Sequence, residues 1–90
     1  MPLRFARSAA RHGISRERMR HIVETCRFPL YSDDEDRAGL VLFLGSDTHG
    51  VPLEVAGIEI ADDDLLIIHA MRLRTSNLDD YERVMRWHER

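Results

Sequence analysis

His69, Arg72 and Arg74 stand at the end of the apolar run Leu65-Leu66-Ile67-Ile68, and His12 stands beside Arg11 just before Gly13. An imidazole moves protons near neutral pH, and a guanidinium offers a planar fork of donors to phosphate or carboxylate. Cleaving RNA without a metal needs a base for the ribose 2′-OH, cations for the charge growing on phosphorus, and a proton for the leaving 5′-oxygen. His12, His69 and Arg72 are therefore the candidate catalytic groups. Arg11 and Arg74 are candidate RNA contacts, and Tyr81 is a third, as a phosphate donor or a base-stacking ring. Each also has a structural reading: His12 at a helix C-terminus faces the macrodipole, His69 shares the Leu65 and Ile67 face, and an arginine at a strand exit is simply solvated.

The other reactive side chains point to less. His21 and His88 fall on helix surfaces and His49 in a turn, and no pair has a metal-ligand spacing. No metal or cofactor is expected. Ser32-Asp33-Asp34-Glu35-Asp36 is a solvated loop, lacking the alternating ligands and sixth-position glycine of a calcium-binding loop. Cys26, the single cysteine, sits among apolar residues at helical spacing and reads as a small buried hydrophobe.

Elements that would position these groups follow from periodicity. Phe5 to His12 is Ala-rich and reads as a helix ended by Gly13, which puts Arg4, Arg7 and Arg11 on one face. Ser15 caps a second helix, in which Met19, Ile22, Val23 and Cys26 form an apolar stripe that stops before Pro29. Leu40 to Leu44, Leu53 to Ile60 and Leu65 to Met71 read as strands joined by two short turns, the pattern of an antiparallel meander. The alternation slips between Val55 and Ile58, and Gly57 marks a bulge that resets which side chains face inward. A closing helix starts near Ser76 or Asn77, either of which can cap it, and carries Leu78, Tyr81, Val84, Met85 and His88 at helical spacing with Trp87 on the flank. The expectation is a single α+β domain over residues 1–90. It has two N-terminal helices, a three-stranded antiparallel sheet that a short N-terminal strand can extend, and a C-terminal helix.

Charge is segregated along the chain. Residues 1–31 carry seven Arg against Glu17 and Glu24, a net of +5; residues 32–64 carry Arg37 against ten acids, −9; residues 65–90 carry five Arg against four acids, +1. All 13 basic residues are arginine. A row formed by Arg4, Arg7 and Arg11 fits an acidic protein partner as well as it fits phosphate. With 43% hydrophobic and 32% charged residues the chain reads as globular and not disordered, and no apolar run approaches the ~20 residues needed to span a bilayer. No signal-peptide pattern opens it, so a cytoplasmic location is expected.

Several of these segments together resemble the BrnT-type toxins of bacterial type II toxin–antitoxin systems. They are Arg11-His12-Gly13-Ile14-Ser15 before an amphipathic helix, the acidic loop with Asp36-Arg37, a strand ending in Gly45, Ile67-Ile68-His69-Ala70-Met71-Arg72, and Tyr81. In that family's pattern a Lys usually stands at the place of Arg11 and a Ser at that of His69. The resemblance covers roughly residues 5 to 85 and implies a RelE-like fold and RNA cleavage. It also implies a cognate antitoxin with a ribbon-helix-helix domain, and operator DNA bound only through that antitoxin. The alternative is a non-catalytic protein-interaction domain of the same fold.

Overall fold

Three apolar strands form the centre of the molecule: β3 (Leu40–Ser46), β4 (Pro52–Glu59) and β5 (Leu65–Arg72), each antiparallel to the next. The computed structural model describes residues 2–89 and extends this meander on both sides. β1 (Leu3–Phe5) pairs in parallel with β5, and β2 (Leu30–Tyr31) pairs antiparallel with β3, giving a five-stranded mixed sheet in the order β1-β5-β4-β3-β2. The expected three-stranded antiparallel sheet with two N-terminal helices, and the RelE-like assignment attached to it, are thus corrected. Only two α-helices occur among the described residues, α1 (Arg16–Thr25) and α2 (Leu78–His88).

The missing helix has a physical explanation. A helix over Phe5 to His12 would be about two turns long with no continuous apolar stripe, too little to offset its nucleation cost. The open edge of β5 offers backbone partners instead. Leu3 and Phe5 pair with Leu65 and Ile67, the Ala6 N–H donates to the Ile67 carbonyl at 2.8 Å, and a 3-10 turn over Arg7–Ala10 tucks Ala9 into the core. The common face of Arg4, Arg7 and Arg11 therefore does not exist. Arg4 lies in β1, where its Nε reaches Asp64 Oδ2 at 2.8 Å, while Arg7 and Arg11 are exposed at the two ends of the turn.

α1 lies on one side of the sheet. The Ser15 hydroxyl caps it by accepting from the Arg18 N–H at 3.2 Å, and Met19 and Ile22 bury against Val41, Phe43, Leu53, Val55, Leu65, Ile67 and Ala70. Full burial of each such side chain is worth about 1.5–3 kcal/mol. The opposite side is covered mainly over β3 by α2, where Val84 and Leu44 are buried. The end of α2 is held to the segment after α1: the Arg27 N–H donates to His88 Nε2 at 3.1 Å, and Trp87 meets Phe28 edge-on. His88, at the end of the stripe through Leu78, Tyr81, Val84 and Met85, is thus a tertiary anchor. No helix among the described residues is long and apolar enough to cross a membrane.

The irregularity at Gly57 proves decisive for one side chain. Ala56 pairs with His69 but Gly57 pairs with Ile67, so Ile68 is the extra, unpaired residue and the bulge lies on β5. β4 keeps its alternation throughout, and Ile58 stays on the α2 side rather than turning into the core. On β5 the parity flips: Leu65 and Ile67 face α1, whereas His69 and Met71 pair with Ala56 and Glu54 on the α2 side. The expectation that His69 shares the Leu65 and Ile67 face is reversed by this single residue. Glycine at 57 lets β5 approach closely, since a Cβ there would lie 2.9 Å from Leu65 Cδ1 and 3.2 Å from the Leu66 carbonyl oxygen and would force both to shift.

Candidate active site

Strand polarity brings the ends of β1 and β5, the β3–β4 hairpin and the start of α1 to one end of the sheet. At that end β4 presents Glu54, a side chain with no exposed surface, on the α2 face. A buried carboxylate must be paired or hydrogen-bonded to stay charged. Glu54 receives the Arg74 backbone N–H at 2.8 Å, Arg74 Nε at 3.0 Å and Nη2 at 2.7 Å, Asn77 Nδ2 at 3.1 Å, and His69 Nε2 at 3.1 Å. Burial pushes its acidity constant up. The two kinds of bond from Arg74, then those from Asn77 and His69, outweigh that push and bring it down from 4.5 to about 2.

Glu54 thereby sets the chemistry of its neighbour. An ionised carboxylate only accepts hydrogen bonds, so Nε2 of His69 donates to Glu54, and in the neutral ring Nδ1 is the nitrogen free to accept a proton. The His12 ring stands edge-on to that of His69, with centroids 5.7 Å apart and planes at 75°. Two groups able to exchange protons with a substrate thus come together, one of them locked in tautomer and orientation. His12 gets there because the turn that replaces the expected helix follows β5, with the Ser8 hydroxyl donating to the Ile68 carbonyl at 2.6 Å.

The remaining candidates divide around this pair. Arg11 is exposed next to His12, and Arg74 is half exposed while bonded to Glu54. Arg72 pairs with Leu53, so it leaves β5 on the α1 side, opposite to His69. Tyr81 is half buried in α2, and burial pushes its hydroxyl up. Arg4 is spent on Asp64 at the far end of the sheet, and Arg7 remains exposed. The Cys26 thiol, half buried, is likewise pushed up by burial, which disfavours the nucleophilic thiolate.

Two residues that matter here carry no signal in the sequence pattern. Glu54 alternates with Leu53 and Val55 and reads as the solvent side of a strand. The sequence offers Ser76 or Asn77 as the cap of α2, but the Asn77 side chain donates to Glu54 and the helix has no side-chain cap. Asp47 anchors the adjoining hairpin, accepting from the His49 N–H at 2.8 Å, the Val51 N–H at 2.9 Å and Arg18 Nη2 at 2.9 Å. The Val51 bond chiefly holds its carboxyl below the usual range; burial opposes this, and the His49 and Arg18 contacts add to it. An aspartate at the start of a Ser-Asp-Thr-His-Gly turn was the available clue.

Comparison of the chain with protein-family models, curated proteins and solved structures finds no match.

Proposed function

We propose that this chain is the toxin of a type II toxin–antitoxin system, a cytoplasmic ribonuclease that cleaves RNA without a metal and is silenced by a protein antitoxin. One observation carries the reading: the rings of His12 and His69 meet at 5.7 Å beside a buried carboxylate that fixes the His69 tautomer. The likeness of residues 5 to 85 to BrnT-type toxins supports it from the sequence side, as does the antitoxin with a ribbon-helix-helix domain that the likeness implies. In this scheme His69 Nδ1 takes the proton of the ribose 2′-OH. The 2′-oxygen then attacks phosphorus, the bond to the 5′-oxygen breaks, and the His12 imidazolium protonates the leaving oxygen.

The products are a 2′,3′-cyclic phosphate and a free 5′-OH. Glu54 is a positioning residue, acting through His69. Arg11 and the exposed part of Arg74 stabilise the charge on phosphorus, while Arg72 and Tyr81 serve as outlying RNA contacts. The test is incubation of the purified chain with a defined RNA oligonucleotide in excess chelator, followed by detection of 2′,3′-cyclic ends. His12→Ala and His69→Ala each lower the rate by about 100- to 10,000-fold, with the fold retained by circular dichroism. If the parent leaves RNA intact and its expression does not slow growth, the nuclease reading fails and the non-catalytic interaction domain replaces it.

A further inference from the structure

The end of the sheet opposite His12 and His69 has a different character. β3 and β5 begin there and β4 ends there, so the loops at 32–39 and 60–64 lie side by side. The Glu59 N–H ties them together by donating to the Gly39 carbonyl at 3.1 Å. Asp33, Asp34, Glu35 and Asp36 stand in the first loop with Arg37 as its single base, and Glu59 and Asp63 flank the second, where the buried Asp64 is already paired with Arg4. Beside them, between the end of α1 and the sheet, lies a hollow of about 340 Å³. Val23, Cys26, Val41 and Leu65 line it, with Tyr31, Glu24 and Glu59. Tyr31 is 60% exposed, the most exposed of the large apolar side chains among the described residues. It stands on β2, a strand of two residues at the open edge of the sheet.

An exposed aromatic beside an apolar hollow is the anatomy of a protein-docking hot spot. The carboxylates decide what it docks. Phosphate backbones are repelled by this end of the molecule, and an acidic peptide is too, whereas arginine or lysine flanking an apolar anchor is attracted. Glu24 is available to such a ligand, because its contact with Arg20 is 3.9 Å long between two exposed side chains.

We infer that this surface docks a protein segment presenting one large apolar side chain between arginines or lysines, with the apolar group in the hollow against Tyr31. This site is separate from the proposed nuclease centre and stands or falls independently of it. The probes are a blocked hexapeptide with a central tryptophan between pairs of arginines, and the same peptide with glutamate for every arginine. Each is titrated into the full chain under amide NMR. The arginine peptide gives saturable shifts at Val23, Cys26 and Tyr31, and binds at least about 10-fold more tightly than the glutamate peptide. Tyr31→Ala and the double variant Glu24→Gln/Glu59→Gln each weaken it by about 10-fold, with unchanged spectra around His12 and His69. No saturable shift up to about 1 mM, equal binding of both peptides, undiminished binding to Tyr31→Ala, or shifts centred on His69 overturns the inference.

Discussion

Glu54 is the residue whose replacement should cost the most. It has no exposed surface and gathers donors from β5, the segment after it and the 3-10 turn that opens α2. Glu54→Ala removes a buried carboxylate that compensates Arg74 and strands the Arg74 and Asn77 donors. Breaking such a buried set costs about 3–5 kcal/mol, against a total of about 5–13 kcal/mol for a domain of this length. The isosteric Glu54→Gln keeps the volume and part of the bonding, so it should lose less.

Acid provides an independent handle on the same group. Its constant is depressed from 4.5 to about 2, so its stabilisation is complete above 4.5 and disappears as the pH falls toward 2. Because the Arg74 side chain is 54% exposed, solvent screening reduces the contribution to about 2 kcal/mol. Urea melts of the parent and Glu54→Gln at pH 7, 4 and 2 measure it. The gap between the two proteins should be widest at pH 7 and narrow steadily below 4.5. A gap that is absent at pH 7, or constant down to pH 2, would refute the assignment of Glu54 as an ionised buried anchor.

Gly57→Ala forces a methyl against Leu65 and the Leu66 carbonyl and should destabilise by about 1–3 kcal/mol in chemical denaturation. It should also lower any RNA-cleaving rate, through displacement of His69. Ser15→Ala removes the cap of α1 and should cost about 1 kcal/mol, read as a lower melting temperature. Arg72→Ala, altering an exposed group on the α1 side of β5, should leave stability within about 0.5 kcal/mol. In a cleavage assay it should raise KM and leave kcat near the parent value, whereas Arg11→Ala should lower kcat.

The strands β3 and β5 are legible as apolar runs rich in leucine and β-branched residues, and β4 through the alternation of Leu53 and Val55 around Glu54. α1 is legible through Met19, Ile22 and the Ser15 cap. β2 is not, and of β1 only a short N-terminal extension of the sheet is legible, without its parallel partner: three and two residues are too short to express a period, and both become strands because an edge of the meander accepts them. The bulge announces itself at Gly57, but the sequence cannot say which strand of the pair holds the extra residue. Everything about the orientation of His69 depends on that. His12, His69 and Arg74 were recognisable from residue type and position alone. Glu54 was hidden, since its environment is made by Arg74 and Asn77, which lie beyond the next strand.

The parallel pairing of β1 with β5 also orders events during synthesis. Arg4 meets Asp64, and Ser8 meets Ile68, each across sixty positions of the chain. The amino-terminal segment leaves the ribosome first, yet its partner strand is completed about 3–12 s later at ordinary elongation rates. Until β5 has folded onto β4 the backbone of Leu3 to Ala6 lacks its strand partner, although Phe5 can already lie against Arg16 of α1, and long-range closure of this kind is slow. His12 therefore cannot meet His69 before β5 is made, so a nascent or truncated chain ending before β5 carries the first imidazole without the second. Whatever activity resides in that pair begins only once β5 is in place.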